Sequence, residues 1–267
     1  MDPGEAKMTR EPAFVFHNLS SGYAGKTILH GLSGVIAPGE VTALIGPNGS
    51  GKSTLVKALG GFLPFDGDLS LFGRDLSKMP RRELGRQIGV VAQQAGVKAA
   101  FTAYDVISFG RLPHQPLLGR LSAEDERIAL EAARRLDIEH LLFRPITELS
   151  GGERQRVLLA MVVAQNAPVC LLDEPTSAMD PCQALHAFSL MRELAREGKA
   201  VVVVAHDINA ALSCADSFIA LRAGRIVARG RASEISGEIL EALYDTSFIP
   251  YVSSRGDTVW HPVSKKY

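Results

Sequence analysis

The chain contains little cysteine: Cys170, Cys182 and Cys214 are the three among its 267 residues. Their spacing fits none of the cysteine and histidine patterns that bind structural zinc. Cys170 lies inside an apolar run, where a thiol is more often a small buried hydrophobe than a reactive group. The reduced cytosol is therefore the expected compartment for this protein.

The chain also lacks a net charge and a long hydrophobic run. It carries 29 Lys and Arg against 29 Asp and Glu, which argues against broad electrostatic capture of nucleic acid or anionic lipid. Residues 1–7 are polar and lack the apolar segment of a secretion signal. The apolar run at 157–164 is far shorter than the roughly 18 residues that span a bilayer. We therefore expect a soluble protein, whose membrane role would need a membrane-spanning partner.

A phosphate-binding pattern, G-x-x-x-x-G-K-[ST], lies between an apolar run at 41–45 and a helical pattern from residue 55. Its glycines allow backbone N–H groups to turn towards phosphate oxygens, and the helix N-terminus adds partial positive charge. Lys52 is expected to reach the β- and γ-phosphates, and the Ser53 hydroxyl to bind Mg²⁺. The flanking strand and helix disfavour the alternative, a glycine-rich turn with an ordinary lysine. The predicted nucleotide-binding residues are Gly46, Pro47, Asn48, Gly49, Ser50, Gly51, Lys52, Ser53 and Thr54.

Three further apolar runs end at polar side chains: Gln93, the pair Asp173 and Glu174, and His206. Continuous Val and Leu runs are typical of buried parallel strands, and ligands of open parallel sheets bind at the carboxyl ends of the strands. Asp173 suits the outer shell of Mg²⁺, and Glu174 suits the base that orients or polarises the attacking water. Gln93 would bind Mg²⁺ or contact this water. Alternatively, it is a simple cap at the end of its strand. His206 would hydrogen-bond the γ-phosphate, although a lone histidine is more often structural.

A second glycine-containing motif begins a helix at residues 149–153. Ser150 and Glu153 have the spacing of a capping box. A capping box alone does not account for Gly151 and Gly152, since glycine inside a helix costs up to about 1 kcal/mol relative to alanine. We therefore interpret this helix start as a second phosphate-binding site, where a phosphate approaches the bare backbone.

The combination of these motifs resembles the ATP-binding cassette ATPases. It comprises the phosphate loop, Gln93, the segment 171–176, His206 and the signature motif at 149–153, and covers roughly residues 13–243. The resemblance implies that ATP with Mg²⁺ is held between two copies packed head to tail. The helix of residues 150–152 in one copy then closes on the ATP bound by the other, and the loop 177–180 crosses the dimer interface.

Tyr23 has two interpretations from its own surroundings, an ordinary edge aromatic or a platform on which a purine stacks. The resemblance implies the second, an adenine platform. Three positions depart mildly from the family pattern: Glu153 replaces a common glutamine, Met179 a usual leucine, and Ala92 a frequent proline. None of these departures removes a predicted catalytic group.

With one cassette and no membrane span, the chain resembles the separate ATPase subunit of a transporter. The segments 110–114 and 160–166 resemble the importers of ferric siderophores, haem and cobalamin, and the analogy favours an iron siderophore or haem. It implies transmembrane permease subunits that dock between residue 93 and about residue 119, and indirectly a periplasmic or surface substrate-binding protein. No nucleic acid partner is expected, and the location is peripheral, on the cytoplasmic face of the inner membrane.

The predicted fold is α/β: a P-loop NTPase (RecA-like) core with a mostly parallel sheet, an antiparallel β subdomain and an inserted helical subdomain. We expect a disordered N-terminus at 1–11, a nucleotide-binding core at 12–95 and 165–245, the helical insertion with the signature motif at 96–164, and an irregular tail at 246–267. Two other functions predict different features. A soluble cassette ATPase acting on DNA or the ribosome would carry coiled-coil inserts, a second cassette or a basic patch. A P-loop nucleotide kinase would need no signature helix and would be active as a monomer.

Overall fold

The computed structural model describes residues 11–92, 101–116, 119–205, 207–254, 256 and 258–263. The predictions for residues 1–10, and those parts of the expected permease surface at 93–100 and 117–118, lie outside the described residues. The strands are β1 (Phe14–Tyr23), β2 (Lys26–Ile36), β3 (Val41–Ile45), β4 (Phe65–Leu71), β5 (Arg74–Asp75), β6 (Ile88–Val91), β7 (Val169–Asp173), β8 (Ala200–Val204), β9 (Ser217–Arg222), β10 (Arg225–Arg231), β11 (Ser247–Val252) and β12 (Thr258–Val263). The α-helices are α1 (Lys52–Leu59), α2 (Arg81–Gln87), α3 (Ala103–Phe109), α4 (Ala123–Arg135), α5 (Gly151–Gln165), α6 (Pro181–Arg196), α7 (Ile208–Cys214) and α8 (Gly237–Tyr244).

A six-stranded sheet forms the centre of the fold, in the order β10-β9-β3-β8-β7-β6. Its strands pair in parallel except for the antiparallel hairpin of β9 and β10. Every residue of β3, β7 and β8 is buried, as continuous Val and Leu runs predict for strands covered on both faces. The predicted mostly parallel sheet is confirmed, and the carboxyl ends of β3, β6, β7 and β8 meet at one edge.

A second sheet of four strands is antiparallel throughout, in the order β2-β1-β4-β5. Its inward residues, such as Phe14, Phe16 and Leu29, join one hydrophobic cluster with Leu55 and Leu59 of α1. This sheet therefore packs behind the helix that follows the phosphate-binding pattern. The predicted antiparallel β part of the fold is confirmed.

Helices α3, α4 and α5 lie between β6 and β7 in the chain, and their apolar faces share one cluster with Val41, Leu172 and Val203 of the central sheet. Helices α3 and α4 begin with capping boxes, which Ser122 and Asp125 form at the start of α4. Arg111, two residues after the end of α3, connects this helix to the other two. Its buried guanidinium donates to Asp125 Oδ1 of α4 at 2.8 Å and to the Ala164 carbonyl of α5 at 2.8 Å.

The prediction of an irregular tail after residue 245 is wrong. Strands β11 and β12 form an antiparallel hairpin, with Tyr251 opposite Val259 and Pro250 opposite Trp260. Trp260 is buried in a cluster with residues of α8, β3 and β9, so the hairpin is packed onto the core. Across the described ranges, no helix combines the length and apolar character needed to traverse a bilayer.

Candidate active site

The phosphate-binding pattern forms the predicted strand, loop and helix: β3 ends at Ile45 and α1 begins at Lys52. Two glycines of the loop have a backbone conformation that other residues rarely adopt. Gly46 has φ 148°, and a Cβ there would lie 2.0 Å from the Leu221 carbonyl oxygen. Gly51 caps α1 with φ 105°, and its Cβ would lie 2.8 Å from the Leu29 side chain. The loop therefore passes so close to its neighbours that only glycine fits.

The Lys52 side chain lies inside the loop. Its Nζ donates to the carbonyl oxygens of Gly46 at 2.7 Å and Pro47 at 3.0 Å, and the residue is buried. Burial lowers the pKa of this ammonium group, while the negative charges of Glu174 and Asp173 oppose that shift. The charge of the predicted lysine therefore interacts with the charges of the predicted acid pair.

Asp173 is the last residue of β7 and is 1% exposed. Burial raises the pKa of its carboxyl group, and hydrogen bonding by Ser53 opposes the rise. Its Oδ1 atom has no hydrogen-bond partner within the described parts of the chain. A buried carboxylate oxygen without a partner, next to a serine hydroxyl, fits a hard divalent cation such as Mg²⁺, which prefers oxygen ligands.

Glu174 follows Asp173 in a left-handed conformation, with φ 54°. Its amide donates to the Val204 carbonyl at 3.0 Å, and its carbonyl accepts from Gln155 Nε2 at 3.3 Å. A non-glycine residue with positive φ is held there by surrounding contacts and is often found at functional sites. The two hydrogen bonds supply such contacts, and they connect this residue to β8 and to α5.

One cleft of about 490 Å³ runs along the phosphate loop. Glu174, 8% exposed, lies on its wall, and Tyr23, 42% exposed, lies at the end of β1. Lys57 Nζ donates to the Tyr23 hydroxyl at 3.2 Å and lies 5.4 Å from the ring centroid. The residues that line the cleft are Tyr23, Ile28, Asn48, Gly49, Ser50, Gly51, Lys52, Ser53, Thr54 and Glu174.

The capping box at the start of α5 is present. Ser150 N donates to Glu153 Oε2 at 2.7 Å, and Glu153 N donates to Ser150 Oγ at 3.3 Å. Hydrogen bonding from Ser150, first from its backbone amide, lowers the pKa of the Glu153 carboxyl. Glu153 is therefore held as a carboxylate by its own helix start.

The start of α5 gives Gly152 a role in packing, besides the predicted approach of a phosphate to its backbone. A Cβ on Gly152 would lie 2.9 Å from the Ala178 carbonyl oxygen and 2.7 Å from Gln183 Oε1. Packing within the chain is thus a sufficient reason for Gly152, which is buried. Gly151 is exposed, and its Cβ would meet only the Ala178 Cβ, at 3.0 Å. Of the two glycines, Gly151 is therefore the exposed one.

The structure does not bring the two predicted phosphate sites together within one chain. In the part of the chain that the structure describes, the lining of the cleft includes no residue of 150–153. Gln93 and His206 lie outside the described residues. The strands that precede them, β6 and β8, end at the same sheet edge as β3 and β7.

Sequence reasoning missed Gln155, which connects α5 to the carbonyl of Glu174. The available signal was its position: residues 151 and 155 are one helical turn apart and share a face. It also missed Lys57, whose place one turn after Ser53 and Thr54 puts it on α1 near the cleft. Neither residue carries a motif of its own, so the contacts become visible only in the fold.

Comparison with known proteins agrees with this arrangement. The family model described as "ABC transporter" matches residues 29–177. The ferric enterobactin transport ATP-binding protein FepC of Escherichia coli K12 is 40% identical over 229 residues, covering 85% of this chain and 84% of that protein. The hemin import ATP-binding protein HmuV of Streptomyces coelicolor is 42% identical over 223 residues, covering 83% of this chain and 79% of that protein.

Among solved structures, a dimeric ATP-binding cassette in a post-hydrolysis state, bound to ADP and Pi, matches with a TM-score of 0.73 and 28% identity. The match covers 82% of this chain and 98% of that one. The family match, the two relatives and the shared fold agree with the loop, acid pair and signature helix described above. The chain therefore belongs to the ABC transporter family and is an ATPase whose hydrolysis of ATP is coupled to transport.

Proposed function

We propose that this chain is the ATPase subunit of an importer that takes up an iron chelate, a ferric siderophore or haem, through a separate transmembrane permease. The observation that carries the proposal is the identity of 40% or more to two ATP-binding proteins whose names specify ferric enterobactin and hemin. Import of cobalamin or another metal complex is the alternative within the same class. In such an importer the cargo would pass through the permease, so the ATP site itself favours none of these cargoes.

We assign the roles in ATP hydrolysis as follows. The loop amides and Lys52 hold the phosphates, because the ammonium group lies inside the loop that surrounds them. Tyr23 stacks on the adenine at the exposed end of the cleft. Glu174, which lines the same cleft, is the base that orients or polarises the attacking water. His206 hydrogen-bonds the γ-phosphate. Gln93 binds Mg²⁺ or contacts the attacking water.

Ser53 and Asp173 would hold Mg²⁺, with Gln93 as a further ligand. The fit rests on the buried Asp173 Oδ1 atom, which has no partner in the described structure, and on the Ser53 hydroxyl beside it. When bound there, Mg²⁺ supplies positive charge that neutralises the phosphate oxygens. Asp173 needs to be ionised for this role: burial raises the pKa of its carboxyl, and the Ser53 hydrogen bond and the charges of Lys57 and Lys52 oppose that rise.

The second half of the site is proposed to come from another copy of the chain. Ser150, Gly151, Gly152 and Glu153 are absent from the described lining of the cleft, yet Gly151 exposes its backbone at a helix start. In a head-to-tail dimer each helix start would face the γ-phosphate held by the other copy. ATP binding would then close the dimer, and loss of the γ-phosphate would allow it to open.

In this role the chain would lie on the cytoplasmic face of the membrane, bound to permease subunits and, through them, to a periplasmic or surface binding protein.

The test is uptake of labelled haem, ferric siderophores and cobalamin by cells in which the wild-type chain is replaced by Lys52→Ala. We expect uptake of one iron chelate to be lost and cobalamin uptake to persist. Loss of cobalamin uptake alone would correct the cargo. No change in any uptake, with no permease co-purifying with the chain, would favour a soluble ATPase not linked to transport.

A further inference from the structure

The first amide of the phosphate loop is hydrogen-bonded to a side chain from the far end of the chain. Gly46 N donates to the hydroxyl oxygen of Tyr244 at 3.0 Å. Tyr244 is the last residue of α8, and 198 positions separate it from Gly46. Burial raises the pKa of the Tyr244 phenol, so its hydroxyl stays protonated at physiological pH.

The position of Gly46 leaves this amide little freedom. The backbone lies against β9, where a Cβ on Gly46 would be 2.0 Å from the Leu221 carbonyl oxygen. Further along the loop, Gly224 N donates to the Ser50 carbonyl at 2.9 Å. The turn between β9 and β10 therefore supports one side of the loop, and Tyr244 fixes the direction of its first peptide unit.

Helix α8 is itself held in place at this end. Arg222, at the end of β9, donates to the Ala242 carbonyl and pairs with the Asp245 carboxylate. Leu240 and Leu243 are fully buried in a cluster that includes Ile45, the residue before Gly46. The hydroxyl of Tyr244 is thus presented by a helix fixed both by packing and by charge-assisted hydrogen bonds.

The hairpin of β11 and β12 completes this support. The Phe248 ring lies 5.8 Å from the Tyr244 ring, between centroids. Asn209 of α7 accepts from Trp260 N at 2.7 Å and donates to the Trp260 carbonyl at 3.0 Å, as a neighbouring strand would. The hairpin is therefore attached to α7 on one side and to α8 on the other.

We propose that Tyr244 is a positioning residue for ATP hydrolysis, whose hydroxyl holds the Gly46 amide and so the first turn of the phosphate loop in its binding conformation. It touches neither the phosphates nor the attacking water. Its loss would leave a partly buried amide without an acceptor, and the loop would spend part of its time in conformations that bind phosphate less well. Nucleotide affinity, rather than the chemical step, is the quantity that this contact controls.

The test compares Tyr244→Phe with Tyr251→Phe, a matched change at an exposed tyrosine of the hairpin, and with Leu243→Ala, which loosens α8 but keeps the hydroxyl. The full-length protein is used throughout, with a fluorescent ADP analogue and Mg²⁺ as the probe. For Tyr244→Phe we expect Kd for the probe and KM for ATP to rise about fivefold, as for one lost hydrogen bond, with kcat changed less than about twofold. The melting temperature of Tyr244→Phe without nucleotide should fall by only about a few degrees, as for one lost hydrogen bond, and Tyr251→Phe should match wild type in every measurement.

Leu243→Ala should lower the melting temperature more than Tyr244→Phe does, yet weaken nucleotide binding less. Two results would overturn the proposal. One is an unchanged Kd for Tyr244→Phe. The other is a loss of affinity that follows the loss of melting temperature across both variants, which would make Tyr244 a purely structural residue.

Discussion

Asp173 and Glu174 are neighbours in the sequence with different surroundings. Asp173 ends a strand, is almost fully buried, and has a carboxyl pKa raised mainly by that burial. Glu174 has left the strand with positive φ and lies on the wall of the cleft. Asp173 thus interacts with Ser53, which follows Lys52, whereas Glu174 lines the cleft beside the phosphate loop. This separation supports a metal ligand and a base, instead of two equivalent ligands.

Replacing Glu174 with Gln tests the proposed base. The amide keeps the shape and the backbone contacts to β8 and α5 but cannot accept the proton of water, so kcat should fall by about 100-fold or more. ATP affinity should stay close to wild type, because Lys52 and the loop are untouched. Steady-state ATPase assays with equilibrium ATP binding measure both quantities. Hydrolysis at a near-normal rate would remove Glu174 from this role.

Replacing Asp173 with Asn tests the raised pKa. A carboxyl whose pKa is higher in the folded state than in the unfolded state favours folding below the unfolded pKa, and this contribution is lost as pH rises through the folded pKa. At pH 7 Asp173→Asn should therefore raise the melting temperature of the nucleotide-free protein by on the order of a few degrees, with a smaller gain at acidic pH. The same variant should lose the additional stabilisation that Mg²⁺ gives in the presence of ATP.

Thermal unfolding at several pH values, with and without Mg-ATP, provides the measurement, and Asp66→Asn on the exposed part of β4 is the control. A variant that melts lower than wild type at pH 7 without ligand would contradict the account of Asp173. Retention of the full Mg²⁺ effect would contradict its role as a ligand.

At the level of elements, the most accurate sequence predictions concern local contacts. The run of β3, the glycines of the loop and the first turn of α1 lie within a few residues of one another, so the pattern defines all three. The predicted capping box of α5 is likewise local, because its two residues are three positions apart. The order of the strands in the central sheet is not local, since neighbours such as β9 and β3 are far apart in the chain, and the sequence pattern did not predict it.

The hairpin after α8 was missed for a physical reason. Pro250 and Pro262 lie inside β11 and β12, and proline argues against a strand when only the sequence is considered. In the fold both strands belong to a two-stranded sheet, where a proline can sit on the unpaired edge. The hairpin gains its stability from distant contacts, above all Trp260 with Asn209. Such contacts leave no periodic signal in the sequence.

The two glycines at the start of α5 can be separated by experiment. Gly152→Ala places a methyl group 2.9 Å from the Ala178 carbonyl oxygen, so we expect a loss of about 1–3 kcal/mol in the free energy of unfolding from overpacking. Gly151→Ala should change stability by less than about 1 kcal/mol, since alanine favours the helix and the position is exposed. It should instead reduce ATP hydrolysis, because the methyl group covers the backbone proposed to face a phosphate.

Chemical denaturation and ATPase assays of the two variants check this contrast. If Gly151→Ala hydrolyses ATP as fast as wild type, the helix start does not need a bare backbone. If Gly152→Ala is as stable as wild type, the tight packing against Ala178 is not a constraint on this motif.

At the level of the whole molecule, the cleft of one chain is lined by the phosphate loop, Tyr23 and Glu174, while helix α5 with the signature motif begins elsewhere. Under the proposed head-to-tail dimer, these two regions are the two halves of one site. One solved structure that this chain resembles is a dimeric cassette bound to ADP and Pi, which is compatible with that proposal. A monomeric kinase would not need the signature helix.

The most direct test of this composite site is the oligomeric state of Glu174→Gln, measured by analytical ultracentrifugation with ATP or ADP. We expect a dimer with ATP and a monomer with ADP, because the γ-phosphate joins the two halves. Adding Ser150→Arg, which places a large side chain at the exposed start of α5, should abolish the dimer while each monomer still binds ATP. A double variant that dimerises as readily as Glu174→Gln would contradict the claim that the signature helix of one copy closes on the ATP of the other.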